Sequence, residues 1–169
     1  MRPIHVLFSL LTAGCVSAPP SAELAAPSPR FDAFRFFAGR TQGEGEVRAI
    51  FSRKNALRVE GDGRLQADGT LILDQLIERG GAKPERRQWR IREAAPGRYR
   101  GTLSSATGPV VGRTDGNVLK LRYRLKQGGL EVRQRLTLEP GGRIAINRLT
   151  LRKFGLPVAT VEETIRKVD

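Results

Sequence analysis

A chain of 169 residues with 39% hydrophobic and 28% charged side chains has the length for one domain and one apolar core, which excludes wholesale disorder and a multi-span membrane protein. Its formal charge is +13, and two readings of that excess stay open: a field that attracts anionic surfaces or ligands, or the drift of a GC-rich genome, to which the surplus of Arg over Lys and the abundant Ala, Gly and Pro also point. A nucleic-acid partner is not expected, because the basic residues alternate along the chain instead of forming a run and aromatic side chains are few.

In chain order, Arg2 supplies a positive start, residues 4–11 an apolar segment too short to span a bilayer, and Leu11-Thr12-Ala13-Gly14-Cys15 a small-residue cleavage site. This resembles the lipobox of bacterial lipoproteins, with Thr12 standing where Leu is commonest. The resemblance implies removal of residues 1–14 and acylation of Cys15. Cys15 is the sole cysteine, so no internal disulfide can form, and a lipid would remove the liability of a free thiol in an oxidising compartment. Val16 follows it instead of the Asp that resembles an inner-membrane retention signal, which implies an outer-membrane anchor facing the periplasm. Residues 15–30, with Pro19, Pro20, Pro27 and Pro29 among Ala and Ser, read as an extended tether. Residues 31–169 are the expected folded domain.

That domain begins with Phe31, Phe34, Phe36 and Phe37, four of the seven Phe, spaced along one side of a helical turn and ending at Gly39. A short helix or turn packing aromatic rings into one end is expected. From Gly43 onward the period is two. The clearest strands set Leu119, Leu121, Tyr123 and Leu125 against Lys120, Arg122, Arg124 and Lys126, and Val132, Gln134, Leu136 and Leu138 against Arg133, Arg135 and Thr137, with Gly128-Gly129 as the turn between them. Further strands are predicted at 45–52, 56–66, 70–79, 86–93, 98–103, 144–153 and 158–168, separated by turn residues such as Asp68-Gly69 and Pro96-Gly97. Nine or so antiparallel strands, each with one charged face, predict an all-β barrel or a strongly curved half-barrel, since closure removes exposed edges.

Several segments carry a family resemblance: Phe34-Arg35-Phe36-Phe37-Ala38-Gly39, Arg87-Gln88-Trp89 with Ile91, Tyr99-Arg100-Gly101-Thr102, and Ile146-Asn147-Arg148 with Lys153-Phe154-Gly155. Together with the lipobox and in this order, they resemble proteobacterial lipoproteins known as a domain of unknown function. The resemblance implies a lipocalin-like fold and an envelope location, and brings no established activity. The chain departs from the acidic members of that family in being strongly basic, so net charge is not the shared property.

His5, the sole histidine, lies in the segment expected to be removed, and the thiol of Cys15 is expected to be acylated. Ser-His-Asp and Cys-His nucleophilic systems and His- or Cys-ligated metal sites are therefore excluded for the mature chain, and neither a metal nor a cofactor is expected. Carboxylate-only chemistry is left. Glu60 and Asp62 share a strand face with Arg58 and Arg64, however, and adjacent Glu162 and Glu163 point to opposite faces. Gly43-Glu44-Gly45, Gly61-Asp62-Gly63 and Gly80-Gly81 lack the strand, loop and helix context of phosphate loops and are expected as turns or strand bends.

Polar residues that the alternation assigns to the apolar face are the site candidates: Gln75 after Leu71 and Leu73, Gln134 between Val132 and Leu136, and Glu163 between Val161 and Ile165. Asn147 and Arg148 join them where Ile144 and Ile146 share one parity and Leu149 and Leu151 the other, a slip expected to be a β-bulge. With Trp89, Tyr99 and Tyr123 these residues form the predicted cavity lining. The expected function is non-enzymatic binding of a lipid-like or other amphipathic small molecule. The first alternative is a structural or assembly lipoprotein engaging anionic lipid or an acidic protein partner, and the second a carboxylate-dependent enzyme. A carrier needs a cavity of a few hundred cubic ångströms, whereas a structural protein needs a packed centre and a contiguous outer patch.

Overall fold

The computed structural model describes residues 29–50 and 52–169, so the expected signal segment, Cys15 and most of the expected tether lie outside the described residues. The first element is the short helix α1 (Ala33–Phe37). Asp32 caps it by accepting hydrogen bonds from the Phe34 and Arg35 amides at 2.9 and 3.0 Å, and Gly39, at φ +88°, turns the chain out of it. Phe31, Phe36 and Phe37 are buried, with ring centroids 5.4 Å apart for Phe31 and Phe36 and 4.9 Å for Phe36 and Phe37. The Phe31 amide donates to Gly116 O at 3.0 Å. The aromatic cluster is therefore a plug, held in one end of a sheet that closes around it.

That sheet has ten strands: β1 (Gly39–Ala49), β2 (Asn55–Leu65), β3 (Leu71–Arg79), β4 (Glu85–Ala95), β5 (Arg98–Leu103), β6 (Ala106–Asp115), β7 (Val118–Leu125), β8 (Glu131–Leu138), β9 (Ile144–Lys153) and β10 (Leu156–Lys167). Each pairs antiparallel with its chain neighbours, and β10 pairs with β1 to close a barrel of lipocalin-like form. Most apolar residues point inward and most charged ones outward, the inverse of a barrel that faces lipid. The plugged end carries the turns at Gly69, Gly97, Gly116 and Gly141. At the opposite end Phe154, Leu156 and Ile50 are exposed. Among the described residues no helix is long and apolar enough to cross a membrane.

Three sequence expectations are corrected. Strand β6 is absent from the predicted strands, because Gly108-Pro109 interrupts its alternation; the structure absorbs both in a register shift between Thr107 and Val111, where proline's missing donor breaks no ladder bond. Asn147-Arg148 is not a bulge: Asn147 opposes Leu136 and Glu163, Arg148 opposes Arg135 and Glu162, and the pairing runs through unbroken. The inward row of β9 is Ala145, Asn147, Leu149 and Leu151, while Ile144 and Ile146 face outward and half-buried; the bulge in this hairpin falls between Pro157 and Ala159.

The third concerns Gly43, Gly45, Gly61 and Gly63, expected as turns or strand bends: the turn alternative is excluded, and they lie within strands. They occupy inward positions in the middle of β1 and β2. A Cβ at Gly63 would lie 1.7 Å from the carbonyl oxygen of Phe37, and one at Gly43 would lie 1.8 Å from Oε1 of Glu163. These glycines keep one wall thin where the plug and a buried carboxyl approach it. Gly80-Gly81 is a turn, as expected.

Candidate functional site

Halfway along the barrel the inward rows stop being apolar. On β3 the row reads Leu73, Gln75, Ile77; on β4 Arg87, Trp89, Ile91; on β8 Val132, Gln134, Leu136; and on β10 Val161, Glu163, Ile165. One polar residue per strand at about the same height produces a belt. On one side Tyr123, Gln134, Asn147 and Glu163 step across β7, β8, β9 and β10. The Tyr123 hydroxyl makes a long 3.4 Å contact to Gln134 Oε1, Gln134 Nε2 donates to Asn147 Oδ1 at 3.1 Å, and Asn147 Nδ2 donates to Glu163 Oε2 at 2.8 Å. On the other side Gln75 Oε1 accepts from both Arg87 Nε, at 2.9 Å, and Trp89 Nε1, at 2.7 Å. Trp89 and Tyr123 meet edge to face at 5.3 Å and join the two halves.

Glu163 is the chemically unusual member. It is only 7% exposed, and burial pushes its carboxyl up from the ordinary value of 4.5, against the opposing influence of the Asn147 hydrogen bond and the Arg87 charge. Burial likewise raises the Tyr123 phenol. Arg87 lies across from Glu163 without forming an ion pair within 4.0 Å, its guanidinium 5.5 Å from the Trp89 ring. Between them is a void of about 60 Å³, lined by Gln75, Arg87, Gln134, Asn147 and Glu163 and, toward the plug, by apolar and aromatic residues including Trp89 and Tyr99. That volume holds about two waters or one small polar group, far below the few hundred cubic ångströms a carrier of a whole lipid needs.

Six of the eight candidates thus converge on the belt: Gln75, Trp89, Tyr123, Gln134, Asn147 and Glu163. Tyr99 is inside and lines the void, but it stacks edge-on against Phe34 at 5.7 Å, and its hydroxyl makes only a 3.5 Å contact with Thr114. Arg148 is corrected. It is exposed on the outer face, 3.6 Å from Glu162, because strand parity places it opposite to Asn147. Arg87 was missed, although it shares the parity of Trp89 and Ile91; a long cationic side chain reads as surface until a partner is known. The other carboxylate pairs sit outside: Glu60 and Asp62 are exposed, and Arg64 contacts Asp62 and Asp74. Among the described residues the belt contains one carboxyl, that of Glu163, and no second carboxyl beside it. Among the described residues no three His, Cys, Asp or Glu side chains gather as a metal site requires.

The barrel has counterparts among solved structures. The S-type phycobiliprotein lyase CPES from Guillardia theta superposes with a TM-score of 0.64 at 7% identity, over 80% of this chain and 90% of the lyase. Rv2717c from M. tuberculosis gives 0.59 at 16% identity, over 79% of this chain and 93% of that protein. At these identities the likeness shows the fold. Comparison with curated proteins finds no match. A family described as "Protein of unknown function (DUF3833)" matches residues 9–167.

Proposed function

The chain belongs to the DUF3833 family, and for this member we propose non-enzymatic binding of an amphipathic small molecule, whose polar end seats on the belt inside the barrel. The observation that carries this reading is the pair of charged groups facing one void. Arg87 has a single hydrogen bond, through Nε, and Glu163 a single one, through Oε2, so both keep unused capacity in a site that a purely structural core would fill with apolar side chains. When protonated, Glu163 donates a hydrogen bond to a ligand carbonyl or hydroxyl, and Arg87 donates to an anionic or carbonyl oxygen. The barrel form is shared with a protein named a phycobiliprotein lyase, and at 7% identity that likeness speaks for the fold alone.

The size of the void sharpens the proposal. As packed, it admits the polar end alone, so the apolar part must displace side chains toward the unplugged end. There Leu57, Val59 and Ile77 form a small cluster separate from the main core. The same small void favours a second reading, in which the belt only fixes the barrel and the molecule acts through its outer face. We further propose that the protein works at the bacterial envelope, held by a lipid on Cys15 and the 15–30 tether.

Native mass spectrometry and organic extraction of protein purified from its own envelope test the first reading. A co-purifying small molecule lost in both Arg87→Ala and Glu163→Gln is expected. Recovery of an empty barrel, with variants that change only stability, would remove it. Palmitate labelling abolished by Cys15→Ser is the corresponding outcome for the anchor; labelling that persists would exclude Cys15.

A further inference from the structure

Outside the barrel, strand register gathers cations that the sequence scatters. Arg98, Arg113, Lys120, Arg135 and Arg148 stand directly opposite one another across β5, β6, β7, β8 and β9, one per strand. A second row, one step along the strands, runs Arg92, Arg100, Val111, Arg122, Arg133 across β4 to β8. Directly opposed residues share a face, so the two rows form one array, with neighbouring positions about 4.8 Å apart across the strands and about 7 Å along them. The array borders a shallow groove of about 870 Å³.

Carboxylates pair four of its nine cations, Lys120 in the middle of the first row and three others: Asp115 meets Lys120 at 3.0 Å, Glu131 meets Arg133 at 2.7 Å, Glu162 meets Arg148 at 3.6 Å, and Asp68 pairs with Arg92. Among the described residues, the guanidinium groups of Arg98, Arg100, Arg113, Arg122 and Arg135 have no carboxylate within 4.0 Å and no hydrogen-bond partner. Each like-charge pair across a ladder works against the sheet. An array of them is stabilised only when an outside anion covers it.

We propose that this face docks on the phosphate headgroups of an anionic lipid bilayer. Three features select that partner. The array is two-dimensional, matching a plane of charges better than a single polyanion strand. It has no outward aromatic side chain on which nucleic-acid bases could stack, Tyr99 being turned inward, and its one apolar member is Val111, too little for the buried anchors of a protein interface. The chain upstream also leaves from its border: Phe31 is bonded to the β6–β7 turn at Gly116, and the Arg30 guanidinium lies over Gly97, next to Arg98. An attachment point upstream of Pro29 would therefore start beside this face. The proposal stands apart from the belt, and it requires no lipid on Cys15.

The test uses the full chain carrying Cys15→Ser, so that acylation contributes nothing, in co-sedimentation with vesicles of phosphatidylcholine alone or mixed equally with phosphatidylglycerol. Binding is expected only to the mixed vesicles, and it should be lost in high salt. The triple variant Arg100→Gln, Arg122→Gln, Arg135→Gln should bind about 100-fold more weakly, while Arg48→Gln, Arg86→Gln, Arg166→Gln, which removes the same charge from other faces, should stay within a few-fold. Near-ultraviolet circular dichroism checks that each variant is folded; if the first triple is not, Arg122→Gln alone should cost about fivefold. Equal losses in both triples, no preference for the anionic vesicles, or tighter binding to a single-stranded oligonucleotide at equal phosphate would each overturn the proposal.

Discussion

On the wall made by β1, β2 and β3 the outward charges stand beside opposite charges: Lys54 at 2.7 Å from Glu46, Arg58 at 3.8 Å from Glu44, and Arg64 against Asp62 and Asp74. On the wall made by β5 to β9 the outward cations stand beside their own kind across the ladders, and Lys120, Arg133 and Arg148 also meet a carboxylate. The interiors differ as well. The first wall turns Gly43, Gly45, Gly61 and Gly63 inward, so that the plug and Glu163 press against backbone; the second fills the same depth with Tyr123, Gln134, Leu136 and Leu149. One alternating pattern thus supports a thin, charge-balanced wall that seats neighbours inside, and a thick, cationic wall that presents itself outside. Alternation decides which side a residue faces, while the neighbouring strand decides what it meets there.

The largest effect expected to test this contrast is at the thin wall. Gly63→Ala should lower stability by about 3 kcal/mol in urea unfolding, because its methyl meets the backbone of Phe37. Gly112→Ala on the thick wall meets the movable end of Leu121 and should lose about 1 kcal/mol. Equal losses would break the distinction between the walls. Next, Gln134→Leu cuts the chain from Tyr123 to Asn147 and strands a buried amide, and it should lower stability by about 2 kcal/mol. A silent substitution would show that the belt does not join the thick wall to Glu163.

A pH series reads the carboxyl between the walls. The folded-state pKa of Glu163 is raised, so its contribution is fully present below the ordinary value of 4.5 and is lost as pH rises through the folded value. Glu163→Gln should therefore match the parent in melting temperature at low pH and exceed it at neutral pH; parallel curves would mean that burial does not perturb this group. The smallest effect distinguishes the outer faces. Arg113→Gln, which removes repulsion with Arg98 and Lys120, should raise stability by about 0.5 kcal/mol in low salt. Arg58→Gln should lower it by no more than about that amount. The same sign for both would erase the difference in surface pairing.

Much of the barrel was readable one residue at a time. The period of two located nine of the ten strands, the aromatic plug announced itself by its spacing, and Gln75, Gln134 and Glu163 stood out as polar residues on apolar rows. β6 escaped because Gly108-Pro109 hides its period, and Asn147 drew attention through a supposed slip when its place on the inward row of β9 is regular. Arg87 escaped for a different reason. A cation beside Trp89 looks solvent-bound until Gln75, twelve residues earlier, is found directly opposite.

The amino-acid order by itself determined the strand pattern, the inward and outward faces, and the aromatic end, because these depend on neighbours along one chain segment and on the two-residue repeat of a pleated strand. Only the tertiary structure decided the belt, its small void, the glycine-lined wall and the ladder of cations. Each is a relation between strands, and the register that brings Asn147 to Glu163, or Arg113 to Lys120, is set by how ten strands and a plug fit together in space.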